Sequence, residues 1–404
     1  MSRPSETNDV QVSDRRAAGS VLLVANYAPD VGFAWWLMEN FWVQFAEQAR
    51  RRALTPIIAY PEVGPLPETI VDAKIETVTL PFPGRGFGGL IKSLRFLRRR
   101  RVKCIYFTDR AFSSAKYALF RLLGVKLIIN HDHTPGDRPA VQGLKRWLKA
   151  AWRRLPWINC DLQLCVSPLI KRRAIDNACV PEGRLAVVQN GIPPIECDGD
   201  RHYAHRQFDI PPGAAICISS GRANPYKRID FVIEVARRCV VEQELENLYF
   251  LYCGDGPDMA RLRTLAENGR LGSRFVFAGT RRDMRQLLCS SDFALHAARG
   301  EAFSLAIIEY MSAGLAVLVP DIPSVCQAIR HRENGLVYAD GNAADAANQL
   351  AKLVADREYA ARLADAASAD ARSCYALERM NGQFQGAVSE ALQSLPALAR
   401  RKSR

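Results

Sequence analysis

A chain of 404 residues, 48% hydrophobic and 24% charged, is long enough for two α/β domains and has the balance of a folded globular protein, which excludes a disordered or fibrous one. Its net charge of +13 lies wholly in the first half: residues 1–195 carry 29 Lys/Arg against 16 Asp/Glu, whereas residues 196–404 carry 26 of each. No apolar run reaches the roughly 18 residues of a membrane-spanning helix, and the eleven cysteines form no CxxC pair, which argues against a zinc site.

The first 19 residues are polar, lack the apolar stretch of a secretory signal, and read as a disordered leader. Short runs rich in β-branched residues then recur, separated by helical stretches. The first half has Val21–Tyr27, Thr55–Tyr60, Glu76–Leu80, Lys103–Thr108, Lys126–Asn130, Leu162–Val166 and Leu185–Gln189. The second has Ala215–Ser219, Asn247–Cys253, Arg274–Ala278, Phe293–Ala297, Leu315–Val319 and Leu336–Tyr338. Continuous apolar strands alternating with helices predict parallel sheets covered on both faces. The Pro- and Gly-rich stretch near 191–213 separates two such sets. The expected fold class is therefore α/β, with two doubly wound Rossmann-like domains, 20–190 and 214–370. A C-terminal helix, 371–395, would cross back to the first domain, and 396–404 form a basic tail. Ligands of such sheets bind at the carboxyl ends of the strands, so the expected site is a central cleft. Cys104, Cys165, Cys217, Cys253 and Cys289 sit in or beside apolar runs and read as buried free thiols of a reducing compartment.

Four elements of the second half suit a phosphate-handling site. Ser220–Arg228 follows a strand with a Gly turn and then Arg222 and Lys227, a planar fork and a point charge for phosphate oxygens. Cys253-Gly254-Asp255-Gly256-Pro257 is a second Gly-rich turn after a strand. Phe277-Ala278-Gly279-Thr280 ends a third strand at a glycine, which admits close backbone approach. Gly300–Glu309 places Glu301 before a helix that should stop at Gly314 and Glu309 about two turns into it. The N–H groups of Phe303, Ser304 and Leu305 would be free at that helix start, which suits an anion.

Together GRANPYKR, NGI at 190–192, CGDGP, FAG, Glu301 and Glu309 with seven residues between them, MSAGLAVLVPD and ENGLV resemble the family 4 retaining glycosyltransferases of GT-B fold, over roughly residues 20–385. The resemblance implies transfer of a hexose from a nucleoside-diphosphate sugar to an acceptor hydroxyl, with retention, as in bacterial polysaccharide biosynthesis. It implies that Arg222 and Lys227 bind the donor pyrophosphate, that Glu309 holds the ribose hydroxyls, and that Glu301 meets the donor sugar. Phe303, Ser304 and Leu305 would offer backbone N–H groups, and Gly254 and Gly279 would line the donor. Gly32, in the loop after the first strand, would approach donor and acceptor; this loop departs from the family in having Gly32-Phe33 rather than two adjacent glycines. His131 matches a histidine near the reacting sugar and joins Glu301 as a catalytic candidate, with His133 its rival. No DxD-like pair stands where a metal would bridge the diphosphate, so no metal or other cofactor is expected; the two cations and a helix dipole would neutralise the leaving group.

The positive charge concentrates at 90–154, with 17 Lys/Arg against 3 Asp/Glu. Leu90–Arg101 and Gly143–Trp157 read as basic amphipathic segments, the second bearing Trp147, Trp152 and Trp157. They predict a cytoplasmic protein peripheral on an anionic membrane surface, taking a glycan or lipid-linked acceptor; no nucleic-acid motif accompanies the patch, so nucleic acid is not an expected partner. Two other readings stand beside this one: a sugar-nucleotide epimerase on the same scaffold, and a degenerate transferase that binds anionic polymers.

Overall fold

The computed structural model describes residues 19–29, 35–136 and 139–395. Thirteen strands form where the apolar runs predict them. The first sheet comprises β1 (Ser20–Val24), β2 (Thr55–Tyr60), β3 (Glu76–Thr79), β4 (Val102–Thr108), β5 (Leu127–Asp132), β6 (Leu162–Cys165) and β7 (Leu185–Val187), in the order β3-β2-β1-β4-β5-β6-β7. The second comprises β8 (Ala215–Ser220), β9 (Leu248–Cys253), β10 (Phe275–Gly279), β11 (Phe293–Leu295), β12 (Ala316–Pro320) and β13 (Leu336–Tyr338), in the order β10-β9-β8-β11-β12-β13. The pairs β1–β2, β2–β3, β1–β4, β4–β5, β8–β9, β9–β10, β8–β11, β11–β12 and β12–β13 are all parallel.

Burial explains the pattern. Every residue of β1, β9 and β12 is buried, because a central parallel strand has a helix layer on each face. The edge strand β3 alternates Thr and Glu with Val and leaves Glu76 and Thr79 exposed. In the second sheet, Phe250, Phe293 and Leu318 pack with Phe231, Val235 and Leu350 of the covering helices. Each such side chain removed from water contributes about 1.5–3 kcal/mol.

By packing, the chain divides into one unit of residues 1–131, 155–163 and 384–404, and a second of 132–154 and 164–383. The C-terminal helix Leu377–Gln393 thus has its first turns in the second unit and Phe384 onward in the first. The leader up to residue 18 and the tail from 396 lie outside the described residues.

One expectation is corrected. Cys289 is not a free thiol but forms a disulfide with Cys197, 92 residues earlier, fastening the linker to the helix Met284–Cys289. Cys104, Cys165, Cys217 and Cys253 are buried thiols outside any disulfide, as expected.

Candidate active site

The order of the second sheet reverses between β8 and β11, the switch point at which doubly wound sheets bind ligands. The loops leaving β8, β9 and β10 meet there backbone to backbone. The Gly221 N–H donates to the Cys253 carbonyl at 3.1 Å, Ala223 N–H to Asp255 at 2.9 Å, and Gly254 N–H to Gly279 at 2.9 Å. A Cβ on Gly254 would lie 1.9 Å from the Gly221 carbonyl oxygen, so only glycine permits this contact. Gly279 has φ +69° and open space where a side chain would project. Glycines that looked like three ordinary turns therefore form one side-chain-free floor.

The wall is the helix Leu305–Ser312. The Ser304 hydroxyl caps it by accepting from Ile307 N–H, and Gly314, φ +75°, ends it where the sequence predicts. Among the described residues, no backbone carbonyl accepts from the N–H groups of Phe303, Ser304 or Leu305. Their own segment is held from behind. Ser167 Oγ and Gln327 Nε2 donate to the Ala302 carbonyl at 3.2 and 2.9 Å, and Asn190 Nδ2 to the Phe303 carbonyl at 3.4 Å. Tyr310 joins wall to floor: its hydroxyl accepts from Ser220 N–H at 2.7 Å and pairs with Ser220 Oγ at 2.8 Å.

Charge is arranged around Glu301. Asn224 Oδ1 accepts from Tyr226 N–H and Lys227 N–H, a local turn that points the next side chains inward. Lys227 Nζ then lies 2.5 Å from Glu301 Oε1, and His296 Nε2 reaches the same oxygen at 3.2 Å. Burial alone would raise the Glu301 pKa; the His296 hydrogen bond and the Lys227 charge outweigh it and bring it down to about 2. His296 itself is pushed down by burial, against the pull of Glu301; beside an ionised carboxylate its Nε2 is the donor. Arg222 is exposed and, among the described residues, makes no hydrogen bond or ion pair. Glu309 is half-buried with no partner for its carboxylate among the described residues, and burial pushes its pKa up to about 7. The site thus offers one open cation, one paired cation, an ionised glutamate and a poised glutamate beside free N–H groups.

The other predicted residues fall elsewhere. His131 has no exposed surface: its Nδ1 meets the Tyr106 hydroxyl at 2.7 Å, and its ring packs on Phe41 and Phe384. His133 is half-buried, and burial brings its pKa down to about 4 against the opposing charge of Asp132. Asp132 pairs with Arg173 at 3.2 Å, both buried, and Arg173 also donates to the Gly136 carbonyl. Gly136 in turn lies against Gly300 and Tyr226, so the strand-end loop bearing His133 borders the loops that carry Lys227 and Glu301. Gly32 lies outside the described residues. Sequence reasoning missed His296, Tyr310 and Tyr226; the only signal for His296 was a histidine at the end of an apolar strand next to the glutamate motif.

No helix among the described residues is long and apolar enough to cross a membrane. The basic region is built unusually at the helix Gly143–Trp152, which buries no residue. Arg146, Lys149 and Arg153 donate to the carbonyls of Asp176, Asn177 and Ala178, at the end of the helix Pro168–Asp176. Cations suit a helix C-terminus. With its basic side held to the protein, the helix turns Leu144, Trp147, Leu148 and Trp152 outward, all more than half exposed. The helix Gly86–Arg99 differs: it buries Leu97 and Ser93 and leaves Phe87 out.

Two doubly wound parallel sheets, with this phosphate-type site on the second, define a two-domain transferase of GT-B architecture. Known proteins agree. The Glycosyltransferase Family 4 profile matches residues 38–195 and the Glycosyl transferases group 1 profile residues 200–370. The chain belongs to this glycosyltransferase family. It is 23% identical to the N-acetyl-alpha-D-glucosaminyl L-malate synthase of Bacillus anthracis, over 46% of this chain and 48% of that protein. It is 27% identical to the lipopolysaccharide core biosynthesis glycosyltransferase LpsE of Rhizobium meliloti, over 51% of this chain and 58% of that one. The matches thus span about half the length of these relatives. The crystal structure of Anabaena HepE in complex with UDP-glucose has the same fold, with TM-score 0.72 and 18% identity over 92% of this chain and 100% of that one.

Proposed function

We propose that this protein moves a sugar from a nucleoside diphosphate to a hydroxyl of an acceptor held at an anionic membrane surface, with retention and without a metal. The observation that carries the reading is the Lys227–Glu301 contact, which sets a phosphate cation beside an ionised acceptor for sugar hydroxyls on a glycine floor. Arg222, Lys227 and the N–H groups of Phe303, Ser304 and Leu305 take the diphosphate. Glu309 takes the ribose hydroxyls, and Glu301 the sugar. The HepE structure with UDP-glucose supports a donor of this class.

In the step, the acceptor oxygen bonds to the anomeric carbon as the bond from that carbon to the β-phosphate oxygen breaks. The diphosphate leaves with the electron pair, and the acceptor proton passes to it on the same face. Charge growing on the leaving group is met by Arg222 and Lys227. His131 is enclosed, whereas His133 is partly exposed as a residue.

The exposed Leu and Trp face of Gly143–Trp152, within a segment so rich in Lys and Arg, suits the headgroup region of an anionic leaflet. The fit is to the cytoplasmic face of a membrane carrying a lipid-linked or glycan acceptor, for which the likeness to LpsE is further support.

The test is a thermal-shift screen of UDP-, GDP-, ADP- and dTDP-sugars, followed by donor hydrolysis without acceptor. One class of nucleotide sugar should stabilise the protein and hydrolyse slowly. Conversion of donor to its epimer, or no stabilisation by any nucleotide sugar, rejects the proposal.

A further inference from the structure

Glu301 uses one oxygen twice and leaves the other open. Lys227 Nζ and His296 Nε2 both reach Oε1, whereas Oε2 accepts from no described group. The two partners differ in freedom. Lys227 is a flexible four-carbon stem, 24% exposed at its side chain, and it is the cation that a diphosphate would draw. His296 is 3% exposed and cannot follow. Its backbone N–H donates to the Leu318 carbonyl at 2.9 Å, and its backbone carbonyl accepts from the Tyr338 hydroxyl at 2.8 Å. Were Lys227 the sole partner, an arriving diphosphate would pull it away and leave the Glu301 carboxylate free to rotate.

We propose that His296 is a positioning residue: it keeps Glu301 Oε1 fixed, and so keeps Oε2 aimed at a donor-sugar hydroxyl, while Lys227 turns to the diphosphate. This rests on the nucleotide-sugar reading of the site. It assigns the two partners of one carboxylate to different stages. Lys227 and His296 hold Glu301 together in the empty enzyme, and His296 holds it alone in the donor complex. The effect of His296 is felt by the sugar and not by the nucleotide, and it passes through Glu301 alone.

The experiment measures the Kd of UDP and of UDP-glucose for the whole enzyme and for His296→Ala, His296→Gln, Glu301→Ala and the double variant His296→Ala/Glu301→Ala. His296→Ala should weaken UDP-glucose about tenfold or more and leave UDP within about twofold. His296→Gln, which keeps an N–H, should recover most of the loss. In the Glu301→Ala background, the histidine change should cost nothing further. Equal losses for UDP and UDP-glucose, or losses that multiply in the double variant, overturn the proposal. A wild-type enzyme that binds neither ligand speaks against the uridine donor instead. The role of His296 is then read in the unliganded protein from histidine nitrogen correlations. A proton on Nε2 that stays when Lys227 is replaced by Ala sustains the proposal; a proton on Nδ1 alone contradicts it.

Discussion

Lys227 and His296 meet on a single oxygen of Glu301, at 2.5 and 3.2 Å, and so hold ionised a carboxylate that burial alone would neutralise. Its pKa, brought down from 4.5 to about 2, fixes the sign of its contribution. A depressed carboxylate stabilises the fold at every pH above its unfolded value, and the contribution fades as pH falls from about 4.5 toward 2. Glu301→Gln should therefore lower the melting temperature at pH 7 and narrow the gap from wild type at pH 3. A gap that widens on acidification contradicts the pairing.

Glu309 has the opposite sign. Burial raises its pKa from 4.5 to about 7, so the empty enzyme is stabilised only while this acid is protonated, and that contribution is lost as pH rises through about 7. Glu309→Gln should raise stability at pH 8 by about 1–3 kcal/mol and weaken donor binding ten- to a hundredfold or so. Wild-type donor affinity should rise with pH through about 7, as the ribose-binding carboxylate ionises, and Glu309→Gln should flatten that rise. Calorimetric titration at pH 6, 7 and 8 reads both effects. An unchanged Kd in the variant removes Glu309 from the donor site.

The outward apolar face predicts how the protein meets membranes. Replacing Trp147 and Leu148 by Ser alters side chains that are more than half exposed, so the fold should be little affected. Pelleting with anionic vesicles should fall several-fold. Neutralising the exposed Lys145 and Arg154 should weaken binding further and make what remains less sensitive to salt. Arg153 is a poor probe, because its guanidinium seats the helix on Ala178. Equal recovery of wild type in the supernatant with anionic and neutral vesicles at low salt rejects docking.

Cys197 and Cys289 should be absent from a thiol count. In denaturant without reductant nine thiols should react, and after reduction eleven. Reduction should cost about 2–4 kcal/mol of stability, concentrated where the linker seats Ile195 N–H on Ser312 Oγ at the end of the active-site helix. Eleven reactive thiols before reduction would show the pair to be open.

Much of the fold was legible because central parallel strands are apolar on both faces, as Val21–Val24 and Leu248–Cys253 are. Gly314 likewise marked the end of the helix bearing Glu309 by local rules of capping. What stayed hidden depends on contacts between distant segments. The close approach of Gly254 to Gly221, Tyr310 reaching Ser220, and Cys197 meeting Cys289 leave no local pattern. His296 looked like the tail of a strand, and the Lys and Arg of Gly143–Trp152 looked solvated until their carbonyl partners on the neighbouring helix were seen.

The account turns on Arg222 and Lys227 as the metal-free diphosphate site. The most direct test is sugar transfer from the donor found in the screen, followed with and without EDTA for wild type, Arg222→Ala, Lys227→Ala and the double variant. Full wild-type activity in EDTA and a loss on the order of 10²-fold or more in each variant are predicted. Activity abolished by EDTA, or a double variant that turns over like wild type, would contradict it.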